Sequence, residues 1–184
     1  GEQSVLEREG VGPGDLFLFF GWFREVELHG DGMRFRRGAE DQHVLWGWMQ
    51  IGEVLSVGKQ PLPAWAGYHP HVAAAAGRSN NTLYVASDRL TIDGLDAALP
   101  GAGTFATHAP KLRLTKAGAT RSLWDLPAWF EPVDRPPLGY HGTSSRWTRR
   151  GDRVDLQSVG RGQEFVFDTD HYLEALAWIR NLLT

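Results

Sequence analysis

Two histidines separated by a single proline are the feature of the chain most typical of a metal-binding site. Proline biases His69 toward extended backbone, so the imidazoles of His69 and His71 can face one ion. A zinc site needs at least one further protein ligand, which the spacing does not fix. The candidates for this ligand are His43, His108, His141 or an acidic side chain. Recognition of a base or phosphate, or a hydrogen-bonded structural role, explains the pair at least as well, so no cofactor is predicted.

Aromatic rings are the second set of side chains that could bind a ligand. Eight tryptophans in 184 residues is a high count, and nucleotide bases are recognised by stacking on aromatic rings, with polar groups on the base edge. The rings at predicted strand ends and in predicted loops are Trp22, Trp46, Trp48, Trp129 and Tyr140. Each ring could instead fill the core, and partial exposure in a concave surface separates the two roles.

Charged side chains near these rings could hold the polar parts of a ligand. Alternation along a strand places Trp22 and Arg24 on one side, where the guanidinium could stack on a base, hold a phosphate or cover the ring. Glu164 follows a glycine-flanked turn with Arg161; it could act as an acid or base, accept a hydrogen bond from an exocyclic amine, or pair with Arg161. The candidate ligand-binding residues are Trp22, Arg24, Trp48, His69, His71, Trp129, Tyr140, His141, Arg161 and Glu164.

Composition excludes several classes of protein. The absence of cysteine removes disulfides, thiolate zinc sites and cysteine nucleophiles, and it favours a reducing compartment, so the cytoplasm is the predicted location. The net charge of −3 argues against a nonspecific nucleic-acid coat. No apolar run approaches the roughly 18 residues that span a bilayer, so no membrane partner is predicted. The G-x-S-x-G, P-loop and H-E-x-x-H motifs are absent from the sequence.

Turn residues and short apolar runs predict an α+β fold that is mainly β. Helices are predicted at residues 2–9 and from about Asp170 to the end. Strands are predicted at residues 16–20, 43–55, 83–87, 111–115 and 163–168. Residues 25–41 are predicted to form an exposed hairpin or loop, and residues 58–81 and 122–150 to form long loops. Gly47 and Gly52 predict bulges or a close backbone approach in the second strand.

Several stretches of the sequence resemble a known family. They are GPGDLFLFFGWFR, HPH, NTLYVAS, LPAWF and SVGRGQEFVFD, which lie between residues 11 and 168. Together they resemble the uncharacterised bacterial and phage family called nucleotide modification associated domain three. GDLFLFFGWFREVE (14–27) and HVLWGWMQIGEVL (43–55) also resemble the opening strands of PUA-like barrels, especially the EVE and ASCH branches.

The resemblance implies a PUA-like small twisted β-barrel with an N-terminal helix, a C-terminal helix and long loops. It implies a role around modified DNA bases and assigns no catalytic residue. We predict one domain over residues 1–184, either by itself or as the C-terminal part of a longer family protein.

The predicted function is a nucleic-acid or nucleotide-binding module that recognises a modified base and is associated with DNA modification or restriction. The alternative is an enzyme acting on a nucleotide or base, metal-assisted through His69 and His71. The sequence leaves open the choice between binding and catalysis, between DNA and RNA, and the oligomeric state.

Overall fold

The computed structural model describes residues 2–73, 81–160 and 164–184. Its strands are β1 (Leu16–Phe23), β2 (Val26–His29), β3 (Gly32–Phe35), β4 (Gln42–Ser56), β5 (Thr82–Ala86), β6 (Ala102–Thr104), β7 (Leu123–Pro127), β8 (Trp147–Arg150) and β9 (Arg153–Gln157). Its α-helices are α1 (Glu2–Arg8), α2 (Pro70–Ala73) and α3 (Glu174–Leu183). Short 3₁₀ helices cover Ala64–Tyr68, Pro110–Leu112, Ala128–Phe130, Gly139–His141 and Ser144–Arg146.

The strands confirm the predicted α+β, mainly β class, and they form three sheets. One sheet has the order β1-β4-β5, with β6 also paired to β4; β2 pairs with β3; and the third has the order β7-β9-β8. Within the described residues these sheets do not close into a barrel, so the PUA-like barrel is not confirmed. No helix in this part of the chain is long and apolar enough to cross a membrane.

Internal packing divides the chain into two compact units. Unit 1 contains Gly1–Leu18 and Trp48–Thr104, and unit 2 contains Phe19–Gly47 and Phe105–Thr184. Strands β1 and β4 contribute residues to both units. The single domain over residues 1–184 stays a prediction.

Unit 1 contains a small apolar core beside a bulged strand. Leu55, Val57, Ala66 and Leu83 are buried together. The antiparallel register of β4 and β5 shifts between Ile51 and Glu53, which confirms the irregularity predicted at Gly52. A Cβ atom on Gly52 would lie 2.8 Å from the Cα of Ser87, so glycine is required by this close backbone approach.

Unit 2 is built on the β7-β9-β8 sheet, which has an apolar and a charged face. Alternation buries Trp124, Leu126, Val154 and Leu156. The opposite face pairs Asp125 with Asp155 across the two strands. The negative charges of these two carboxylates are balanced by hydrogen bonds from three cationic side chains, those of Lys116, Arg150 and Arg153. Burial opposes ionisation of Asp155, but hydrogen bonds from Arg150 and Lys116 hold its pKa below the usual value.

Both terminal helices and the exposed hairpin are confirmed. Helix α1 matches the prediction for residues 2–9, and β2 and β3 form the hairpin predicted within residues 25–41. Helix α3 begins at Glu174, later than the predicted Asp170. Residues 168–172 form a turn instead, in which Asp168 accepts a hydrogen bond from the backbone of Asp170.

Three predictions about the second half of the chain are wrong. A regular strand was predicted over 111–115, but residues 110–112 form a 3₁₀ helix with Pro110 in its first turn, and only isolated antiparallel bridges at Arg113 and Thr115 correspond to the prediction. The predicted loop 122–150 contains β7 and β8, whose pairing partner β9 was not predicted. Residues 164–168 form no strand, and the remaining residue of that prediction, Gln163, lies outside the described residues. Short strands interrupted by proline and glycine are specified by their partners more than by local pattern.

Candidate functional site

An open cleft in unit 2 has a volume of about 430 Å³. Its walls come from the two residues that precede β4 and from the turn that precedes β7. The residues that line it are Glu40, Asp41, Ala119, Thr120, Arg121 and Ser122. Two carboxylates and one guanidinium therefore share a space of the size that commonly accommodates small ligands, roughly 300–1,000 Å³.

An exposed tryptophan is stacked against the guanidinium of this cleft. The Cζ atom of Arg121 lies 3.9 Å from the ring centroid of Trp22, within the range of a cation–π contact. Trp22 nevertheless keeps 64% of its surface exposed. The Nε of Arg121 is buried and has no hydrogen-bond partner among the residues described. The cleft is thus lined by a guanidinium that is stacked on a flat ring, and most of that ring's surface is open to a ligand.

A threonine holds the turn that carries Arg121. The Thr115 hydroxyl accepts a hydrogen bond from the His43 backbone amide at 2.8 Å and donates one to the Arg121 carbonyl at 2.9 Å. The chain reverses at Gly118, whose φ is +72°, a conformation that glycine adopts without strain. The Thr115 side chain therefore fixes the backbone of Arg121 to the start of β4, a segment far away in sequence.

The two carboxylates of the cleft have different environments. Glu40 accepts hydrogen bonds from Arg113 at 2.6 Å and from the Gly118 amide at 3.0 Å, so its two oxygens hold the turn in place. Asp41 lies with its Oδ1 3.9 Å from the Nε of Arg24. Arg24 in turn donates a hydrogen bond to the Ala39 carbonyl at 3.2 Å. Asp41 is therefore the better placed carboxylate to accept a hydrogen bond from a ligand.

A buried, neutral histidine interacts electrostatically with Arg121. Burial, with the positive charge of Arg121 as a second cause, lowers the pKa of His43 to about 4. Its Nδ1 accepts a hydrogen bond from the Trp124 indole at 3.0 Å, so the proton of the neutral ring is on Nε2. The neutral ring adds no second positive charge beside Arg121 at neutral pH.

The other predicted residues of unit 2 lie in different surroundings. Trp129 is half-buried against Phe130, Phe167 and Trp178. Tyr140 and Glu164 are exposed. Arg161 lies outside the described residues.

His141 is fully buried beneath a phenylalanine. Its ring stacks on Phe165 at 4.4 Å between centroids and with an interplanar angle of 4°. Burial, the largest cause, lowers its pKa to about 4, and the backbone of Leu138 opposes this shift. Its Nε2 lies 3.4 Å from the donating amide of Val159, and its Nδ1 is buried without a partner in the described part of the chain.

The predicted residues of unit 1 form a second group. Trp48 is buried, and its indole donates a hydrogen bond to the Pro100 carbonyl at 3.1 Å. The rings of His69 and His71 are 5.2 Å apart, and the His71 amide donates to the Nδ1 of His69 at 3.2 Å. Within residues 2–73, 81–160 and 164–184, no group of three or more histidine, cysteine or acidic side chains could hold a metal ion.

Comparison with protein families matches residues 1–168 to nucleotide modification associated domain 3. The chain belongs to this family. No curated protein and no solved structure matches it. The family assignment agrees with the resemblance found in the sequence, and it covers both the cleft and the exposed hairpin.

Sequence reasoning selected only part of the cleft of this nucleotide modification associated domain. Trp22 and Arg24 were selected, and the structure brings both close to cleft-lining residues. Asp41 and Arg121 were missed. Two signals could have indicated them: an adjacent acidic pair directly before a strongly apolar strand, and a polar turn around Gly118 that ends in arginine. Their proximity depends on packing between segments about eighty residues apart in sequence, which no local pattern reports.

Proposed function

We propose that this chain is a nucleic-acid or nucleotide-binding module that recognises a base, including a modified base in DNA, at the Trp22–Arg121 cleft. The observation that supports it most is the exposed Trp22 ring beside a guanidinium whose buried Nε has no partner in the described residues. Flat rings and guanidinium planes are the surfaces on which unstacked bases are held.

Each cleft residue has a separate proposed role. Trp22 stacks on the base through its exposed surface, and Arg121 donates to a phosphate oxygen or to a carbonyl on the base edge. Asp41 accepts a hydrogen bond from an exocyclic amine, which would distinguish bases that carry one from thymine or uracil. Glu40 keeps the turn in position, because both of its oxygens are already hydrogen-bonded to the protein.

The family assignment supports the cellular context of this proposal. A nucleotide modification associated domain that reads a base suits a protein working beside DNA modification or restriction enzymes. The absence of cysteine supports action in the cytoplasm. We also propose a PUA-like core around β1 and β4, supported by the Gly-Asp turn before β1 and by the bulge in β4. An experimental structure whose strands could not be superposed on such a core would contradict this last point.

Binding measurements with labelled short oligonucleotides test the proposed function. The set contains matched single strands that carry cytosine, 5-methylcytosine, 5-hydroxymethylcytosine, adenine or N6-methyladenine at one central position. We expect the affinity to depend on the central base, and we expect Trp22→Ala to weaken the best complex about 5- to 150-fold, since stacking contributes roughly 1–3 kcal/mol.

A matched tryptophan in the other unit provides the control. Trp65 is also exposed, lies in unit 1 and does not line the cleft. Trp65→Ala should leave the dissociation constant unchanged. Equal, weak binding of the wild-type protein to every oligonucleotide would contradict the proposal, as would equal losses in the two variants.

A further inference from the structure

The β2-β3 hairpin exposes an apolar face that the proposed base site does not use. Its register pairs Val26 with Phe35 and Leu28 with Met33, and directly opposed residues of an antiparallel pair lie on one face. Near the tip, Leu28 is 84% exposed and Met33 75% exposed. Solvent-exposed apolar side chains clustered in this way usually mark a surface that binds a partner.

The opposite face of the hairpin is charged and internally paired. Arg34 donates to Glu27 at 2.8 Å, and Arg36 donates to Glu25 at 2.9 Å. The reversal uses a two-residue loop that begins with Gly30 at a φ of +58°, as tight hairpins require. These features define the two faces of the ribbon and its register, so the apolar face is not the product of a disordered loop.

The apolar face is continuous with the cleft through one arginine. The Arg24 guanidinium lies 5.5 Å from the ring centroid of Phe35, on the hairpin, and 3.9 Å from Asp41, which lines the cleft. All of these residues belong to unit 2. A ligand that entered the cleft would therefore lie at the base of the hairpin, with Leu28 four residues further along the chain from Arg24, about 13 Å in extended backbone.

We propose that the hairpin is a wedge that inserts Leu28 and Met33 between the bases of a duplex whose neighbouring base occupies the cleft. The inference rests on the proposed function. Reading a base outside the stack leaves a gap in the duplex, and proteins that open base steps insert apolar side chains, leucine and methionine among them.

Charge favours a nucleic acid over a protein partner. Residues 24–37 carry four arginines against three acidic residues, whereas the whole chain has a net charge of −3. Of these arginines, Arg37 follows β3 directly and is exposed. The segment thus carries one positive charge in excess, and because Arg34, Arg36 and Arg24 pair with Glu27, Glu25 and Asp41, Arg37 is the arginine placed to approach a phosphate.

Paired measurements on duplex and single-stranded DNA test the wedge. Each oligonucleotide of the binding set is used alone and annealed to its complement, with the full chain and the double variant Leu28→Ser/Met33→Ser. We expect the double variant to bind single strands like the wild type and to bind the duplexes about tenfold more weakly or worse. The control Leu173→Ser changes an equally exposed leucine on the turn before α3 and should alter neither affinity.

A fluorescent base reports the insertion itself. 2-Aminopurine placed beside the recognised base should brighten when the wild-type protein unstacks the duplex, and it should stay dim with the double variant. Unchanged duplex binding by the double variant, or an equal loss on both forms of DNA, would overturn the wedge.

Two further outcomes separate this inference from the proposed function. A wild-type protein that binds single strands and no duplex keeps the base site and refutes the wedge, whereas one that binds neither refutes both. Light scattering of the free protein tests whether a second copy of the chain covers the apolar face instead. If the wild type is a dimer and the double variant is a monomer, the face binds a second copy and the wedge is overturned.

Discussion

Acidification should destabilise this protein well above the pH at which carboxylates titrate, because two histidines are buried in neutral form. His43 and His141 are almost inaccessible, and burial is the largest cause that lowers the pKa of each to about 4 from an ordinary value of 6.5. The unfolded chain therefore binds these two protons first as the pH falls. Stability is complete above pH 6.5 and is lost progressively between pH 6.5 and about 4.

The size of the loss follows from the two pKa shifts. Each ring contributes 1.36 kcal/mol per pH unit within this window, so two rings together remove about 4 kcal/mol between pH 7 and pH 5. That is a large share of the roughly 5–15 kcal/mol that stabilises a typical domain. The carboxylate of Asp155, whose pKa is held below its usual value, adds to the loss only at lower pH, so the two effects separate.

Urea denaturation at closely spaced pH values measures this loss directly. His43→Gln keeps an acceptor for the Trp124 indole and removes one titrating ring, so the loss between pH 7 and pH 5 should fall to about half, about 2 kcal/mol. His141→Gln should do the same, whatever its effect on stability at pH 7. The exposed His108→Gln leaves both buried rings in place and should retain the full loss. A wild-type stability that stays level from pH 7 to pH 5 would refute the argument.

The remaining predictions concern the bulge and the histidine pair. Gly52→Ala should lower the free energy of unfolding by about 1–3 kcal/mol, because the new methyl group would collide with the backbone of Ser87. Gly67 has open space around it, so Gly67→Ala should change the free energy of unfolding by less than about 0.5 kcal/mol. Urea denaturation measures both values, and equal effects would contradict a close backbone approach at Gly52. Elemental analysis of protein purified without added metal should find no stoichiometric zinc, because His69 and His71 lack a third ligand in the described residues; one equivalent that disappears in His69→Ala would favour the enzyme alternative.

Local sequence patterns predicted the elements whose conformation is determined by residues that are neighbours in sequence. The apolar run after a glycine-aspartate turn predicted β1, and Gly52 inside an apolar strand predicted the bulge that the register confirms. The hairpin within residues 25–41 follows from its glycine-rich turn. In each case the residues that determine the conformation are neighbours in sequence, which is the information that periodicity and turn chemistry contain.

Features that depend on partners distant in sequence were missed, because local patterns contain no information about such partners. Strands β7 and β8 are short, and their pairing with β9 makes them strands despite the prolines and glycines around them. The cleft is a similar case. Alternation predicted that Trp22 and Arg24 act together, but the partner of Trp22 is Arg121, a residue held in place by Thr115. Trp48 shows the ambiguity of a strand tryptophan: its position in β4 gave no means of deciding between the ligand role and its observed burial.

The most direct test of base recognition at the Trp22–Arg121 cleft is nuclear magnetic resonance of ¹⁵N-labelled protein titrated with the preferred oligonucleotide. The indole N–H signal of Trp22, assigned by its loss in Trp22→Phe, and the Nε–H signal of Arg121, which is buried and so protected from exchange, should both shift with one common dissociation constant. The indole of Trp65 should not move. Saturating oligonucleotide that leaves Trp22 and Arg121 unshifted, or that shifts Trp65 instead, would contradict the account.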